Sequence, residues 1–138
     1  MAKNTQLTNL AVNTEADALA VLANSGWIDI LDGTQAATGD TAIGSQVVLV
    51  SCQLNATAFA AASAGVLTAN AMSAGTAGNS GTATWFRLYK TDHTTALFDG
   101  SVDTATANLI LPTTTIAAGQ TVTPSSFTHT IAKSTSGL

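Results

Sequence analysis

The feature that most constrains this chain is the recurrence of short β-type runs, each closed by a turn signal, every 8–12 residues or so. Residues 27–31 (WIDIL) end on Asp32-Gly33, a tight-turn pair. Residues 46–54 place Val48, Val50, Cys52 and Leu54 on one face and Val47 and Leu49 on the other, which turns polar at Ser51 and Gln53. Residues 65–72 form a weaker, alanine-diluted strand. Residues 82–90 carry the strongest β signal, with Phe86 and Leu88 facing one way and Trp85, Arg87 and Tyr89 the other. Residues 91–94 read as a hairpin turn and 95–100 as the returning strand. A strand over 108–111 stops at Pro112, and residues 116–120 form a turn. Residues 121–132 read as one long closing strand with Phe127 and Ile131 on one face. The stretches 34–45, 55–64 and 73–81 read as loops, the last flexible because of Gly75, Gly78 and Gly81.

One segment, residues 13–24, has helical periodicity. Thr14 with Asp17 resembles a capping box, and Glu15 and Asp17 lie in a first turn where they oppose the helix dipole. Ala16, Leu19, Ala20 and Ala23 share one face, and Gly26 supplies the stop. The expected architecture is therefore all-β: an antiparallel β-sandwich or jelly roll with one short N-terminal helix. Residues 1–12 are expected to form an extended polar arm, and residues 13–138 a single β-sandwich domain. Nothing alternates strand with helix, which disfavours a parallel α/β fold.

Composition narrows the function. Charged residues are 9% of the chain, against about 25% in ordinary proteins. Four basic residues and a net charge of -4 fall short of the roughly 6–10 phosphate contacts of a nucleic-acid binder. No apolar run approaches the roughly 20 residues of a membrane helix, so neither nucleic acid nor membrane is an expected partner. The N-terminus carries no secretion signal, and a lone cysteine forms no internal disulfide, so synthesis in a reducing compartment is expected. Ala and Thr supply about a third of the residues. An ordinary surface is about 25–35% charged; this one must be neutral, which favours cover by copies of the chain or by a partner.

Candidate chemistry is sparse. His93 falls at a hairpin tip and reads as an exposed turn residue; His129 shares a face with Phe127 and Ile131 and reads as a half-buried sheet residue. Cys52 reads as a small buried hydrophobe. Asp29 and Asp32, or Asp99 and Asp103, could be imagined around a calcium ion, but their spacing matches no calcium loop and turn-forming aspartate explains them. Trp85-Phe86 with Tyr89 reads as core or interface rather than a ligand platform. HExxH, CxxC, Walker and GxSxG motifs are all missing from the sequence. The expectation is a non-enzyme with no catalytic, cofactor or metal residues.

Residues 27–35 (WIDILDGTQ), 81–90 (GTATWFRLYK), 97–102 (LFDGSV) and 116–127 (IAAGQTVTPSSF) resemble small virion structural proteins of tailed bacteriophages, over roughly residues 7 to 132. The resemblance brings no catalytic motif. Some β-sandwich proteins of that group act as capsid cement, or decoration, proteins: dimers or trimers on the outer shell that bridge neighbouring major capsid proteins. It implies a homo-oligomer, the major capsid protein as partner, and a place on the capsid surface of the virion after synthesis in the bacterial cytoplasm. The alternative is a tail, neck or head-fibre component involved in attachment.

Overall fold

The strands most strongly marked in the sequence become the middle of a seven-stranded sheet. The computed structural model describes residue 1 and residues 3–134. Helix α1 (Asn9–Leu22) is followed by β1 (Trp27–Leu31), β2 (Val48–Gln53), β3 (Val66–Thr68), β4 (Gly75–Thr76), β5 (Gly81–Thr82) and β6 (Trp85–Tyr89). Then come β7 (Ala96–Asp103), β8 (Leu109–Ile110), β9 (Thr115–Ile116), β10 (Thr121–Val122) and β11 (Ser126–Thr130). The main sheet runs β2-β1-β6-β7-β8-β11-β3, and β10-β4 and β5-β9 form two small sheets. The protein is mostly β with one short helix, and the sheet does not close into a barrel.

Register gathers the apolar side chains on one face of the main sheet. Cys52, Ile28, Leu88 and Phe98 form one row across β2, β1, β6 and β7, and Val50, Ile30, Phe86 and Gly100 the next. The face continues through Val102, Leu109 and Phe127. Gly100 is required here, because a Cβ would enter the Phe86 ring. Phe127 meets Phe86 edge-on at 5.1 Å and Phe59 at 5.3 Å. Ala16, Ala20 and Ala23 at the helix, with Ala77, Ile116 and Val122 near and in the small sheets, complete the same apolar cluster. A bulge between Ile30 and Leu31 skips Leu49, which joins that core fully buried.

Five expectations are corrected. The sheet is mixed rather than antiparallel, because β8 lies parallel to β7. A parallel pair ordinarily needs a crossover of a dozen or more residues. Here residues 104–108 suffice: the Asn108 side-chain oxygen accepts from the Ser101 N–H and hydroxyl, and the Asn108 backbone N–H donates to Ser101 Oγ, folding the chain back beside β7. The closing strand is two strands, β10 and β11, because Pro124 between them cannot donate to a ladder.

The helix starts earlier than the spacing predicts. Thr8 is its cap, accepting the Ala11 N–H, so residues 9–12 of the expected arm are helical and Val12 is fully buried. Asp17, read with Thr14 as a capping box, has tertiary work instead. Asn13, Asp17 and Asn24 accept the backbone N–H groups of Gly65, Ala62 and Ala58, hanging the alanine-rich segment along the helix. Residues 6 and 7 are also tied down, Gln6 bridging Ser134 and the Leu7 N–H donating to the Lys133 carbonyl.

The glycine-rich connection is packed against the sheet rather than loose. The N–H groups of Ser73 and Gly78 donate to the Gln53 and Leu49 carbonyls, and the Asn79 amide to Val48, covering the β2 edge. Residues 59–63 cover the β3 edge in the same way, through bridges from Phe59 to Ala69 and Ser63 to Val66. Both ends of the main sheet are thereby blunted.

Candidate functional site

The other face of the main sheet is where chemistry-bearing side chains meet. Register places Ser51, Asp29, Arg87 and Asp99 in one row across β2, β1, β6 and β7. Arg87 grips Asp99 through two parallel bonds, Nε to Oδ1 at 2.6 Å and Nη2 to Oδ2 at 2.8 Å, with both side chains nearly buried. The Asp99 hydrogen bonds hold Arg87 further on its charged side, against the effect of burial. The guanidinium also lies 5.6 Å from the Trp85 ring centroid.

Asp29 is the junction of the row. Its Oδ1 accepts from the Ser51 hydroxyl at 2.6 Å and from His93 Nε2 at 2.7 Å. His93 does not stand out in solvent as a turn residue; its ring lies flat on Trp27, centroids 4.8 Å apart and planes within 4°, and edge-on to Tyr89. It holds that place with a φ of 56°, a left-handed conformation uncommon for a side-chain-bearing residue. Burial, and then the Asp29 charge, pushes the Tyr89 phenol up. At the base of the hairpin tip Asp92 accepts from Thr94 and Thr95, which holds its carboxyl well below the usual range.

The 32–47 segment folds over this face. Trp85 Nε1 donates to the Asp32 carbonyl, the Thr84 hydroxyl to the Gly33 carbonyl, and Arg87 Nη2 to the Thr38 carbonyl. Asp32 accepts the Val47 N–H and pins the loop's far end, a turn role as its position suggests. No cavity opens among the described residues. Serine, histidine and aspartate meet here in an order that does not activate a nucleophile. Catalysis by such a set needs histidine against the hydroxyl, whereas here Asp29 sits between them and accepts the Ser51 hydroxyl's hydrogen bond itself. The arrangement clamps strands and turn together.

The remaining sequence candidates lie apart. Cys52 is buried on the core face, its thiol pushed up to about 11 by desolvation. His129 stacks on Phe98 at 4.2 Å, and burial lowers its pKa. Trp85 is buried, Asp103 accepts the neighbouring Thr104 N–H, and Glu15 is exposed on the helix. Among the described residues no group of three or more His, Cys, Asp or Glu is placed to hold a metal ion. The Ser51–Asp29–Arg87–Asp99 row is the feature that sequence reasoning missed. A plain hairpin about residues 91–94 pairs Lys90 with Thr95 and would set Arg87 opposite Phe98. The bulge between Leu88 and Tyr89 moves it to Asp99.

A second surface lies on the helix. Leu10, Val21 and Leu22 are 78%, 67% and 47% exposed, and among the described residues the other large exposed apolar side chains are Met1 and Val47. No helix among the described residues is long and apolar enough to cross a membrane. No family model matches the chain, and neither a curated protein nor a solved structure matches it.

Proposed function

We propose that this chain is a structural protein of a tailed-phage virion, a capsid cement protein that binds the outside of the head and bridges major capsid proteins. The observation that carries the reading is the outward face of α1, where three of the large exposed apolar side chains stand on one 14-residue helix. Its partner-facing chemistry is apolar and neutral, as a surface with so few charges requires. The segments that resemble phage virion proteins supply β1, β6 and part of β7, three of the four strands that bear the clamped polar row. Every member of that row is engaged by another part of the chain, which favours a scaffold that binds over an enzyme that turns over. The layer of small sheets and helix on the main sheet supports a sandwich-like body for such a role.

Purified virions test the reading directly. Quantitative mass spectrometry is expected to find hundreds of copies per particle, and removing the gene is expected to lower the temperature at which heads release DNA. A handful of copies, with unchanged head stability and lost adsorption to the host, would replace the cement reading with a tail or fibre role.

A further inference from the structure

His93 sits among its neighbours as a guest sits in a binding site. Its ring lies flat on Trp27, planes within 4° and centroids 4.8 Å apart, and meets the Tyr89 ring edge-on at 5.4 Å. Nε2 is 2.7 Å from Asp29 Oδ1, an oxygen to which the Ser51 hydroxyl also donates at 2.6 Å. An aromatic floor, an aromatic wall and an aimed carboxylate are the parts of a site for a planar nitrogen group. All three stand on strands: Trp27 and Asp29 share one face of β1, and Tyr89 lies opposite Trp27 on β6. The ring that fills the site does not. It comes from the turn between β6 and β7, where Thr91, Asp92, Thr94 and Thr95 are exposed, and it is itself 35% exposed. The left-handed backbone at φ 56° is uncommon for a residue with a side chain, so the contacts hold His93 there more than local preference does. We propose that Trp27, Tyr89 and Asp29 form a binding site for the guanidinium of a partner protein's arginine, and that His93 is an exchangeable plug filling it in the free chain.

The same sheet face already holds such a group between such residues. Arg87 lies 5.6 Å from the Trp85 ring centroid and makes two bonds to the Asp99 carboxylate. Trp27 and Asp29 repeat that pairing on the neighbouring strand β1, with a histidine ring where the guanidinium would lie. His93 engages only Oδ1 of Asp29, and Oδ2 accepts no bond among the described residues. An arginine engages both oxygens while stacking on Trp27, which gives it an advantage over the plug; a lysine ammonium neither stacks flat nor forms the paired bonds. The plug leaves by rotation about its own side-chain bonds, with the hairpin ladder intact. Because the guest must displace a tethered ring, a single arginine binds in roughly the millimolar range, and a partner must add contacts of its own. This inference does not rest on the capsid reading, and neither test decides the other.

Two chains are compared. His93→Gly suits the left-handed backbone and empties the site. Its melting temperature relative to the native chain is expected to rise by several degrees on adding N-methylguanidinium, and to stay put on adding methylammonium at the same concentration. In the native chain, the peptide acetyl-Gly-Arg-Gly amide is expected to move the NMR signals of the His93 ring and the Trp27 indole along one saturable curve, leaving those of Trp85 in place. The same peptide with lysine is expected to move neither, and Asp29→Asn to weaken the arginine peptide by about tenfold or more. Silence of both chains, an equal response to lysine, or binding of N-methylguanidinium with exclusion of the arginine peptide would each overturn the proposal. So would rescue of His93→Gly with no shift in the native chain, which would make His93 a fixed clamp.

Discussion

Arg87 and Asp99 show what two charges cost once a fold has covered them. Their side chains are 5% and 4% exposed, so neither is solvated by water and each depends on the other. Removing one partner leaves the second buried and unpaired, which ordinarily destabilises by about 3–5 kcal/mol. Asp99→Ala is therefore expected to lower the urea midpoint by a corresponding amount, and a shift below about 1 kcal/mol would contradict the buried-pair account. His93 is a milder case, because its side chain is 35% exposed. His93→Ala loses the Asp29 bond and the stack on Trp27 yet keeps the left-handed backbone, so a loss of about 1–3 kcal/mol is expected. His93→Gly, which relieves the backbone, should lose less than His93→Ala. Equal losses would mean that the φ of 56° carries no strain.

Elements differ in how far local sequence decides them. β1 runs over the residues its alternation and the Asp32-Gly33 turn predict, because a strand in mid-sheet is marked by its own side chains. The alternation of β6 also sorted its faces correctly. What it could not show is that the second face is buried as well, since the cover comes from the distant 32–47 segment. The start of the helix was misread because Thr14 and Asp17 have the residue types of a cap, while Thr14 bonds back to the Leu10 carbonyl one turn earlier and Asp17 reaches Ala62, a partner visible only in three dimensions. The parallel β8 hung on one asparagine, and the Arg87–Asp99 pairing on a one-residue bulge; neither has a periodic signature. The 73–81 connection shows the same limit. Gly75 sits against β2, where a Cβ would collide with the Ser51 carbonyl oxygen and the Val50 side chain, whereas nothing lies within 4 Å of a Cβ on Gly78. Gly75→Ala is expected to cost about 2 kcal/mol or more by pushing β4 off β2. Gly78→Ala is expected to stay within about 0.5 kcal/mol of the native chain. Thermal melts of the two variants should separate by several degrees; coincident melts would mean that the segment is as loose as its composition suggests.

The whole molecule carries a half-buried histidine, His129, stacked on Phe98 beside the apolar cluster, and this sets a direction for its response to acid. Burial lowers the His129 pKa in the folded state, so on acidification the unfolded chain takes up that proton first. Stability from this group is then complete above about pH 6.5 and falls as the pH drops below it. His129→Gln is expected to flatten the fall in melting temperature between pH 7 and 5 relative to the native chain; parallel curves would show that the acid response comes from elsewhere.

The two ends of the described chain also meet, Gln6 against Ser134 and the Leu7 N–H on the Lys133 carbonyl. In an antiparallel bridge the strands leave on the same side, so tension applied through them opens the bonds one after another, like a zipper, instead of shearing many at once. Pulled by its ends in a force spectrometer, the molecule should yield first at this seam, at low force. Pulled between β2 and β7, where the ladders with β1 and β6 must slide together, it should hold much longer. A body that carries load across its sheet and gives way easily at its ends can be strained by its surroundings without being unravelled by them, provided the force does not arrive through the termini.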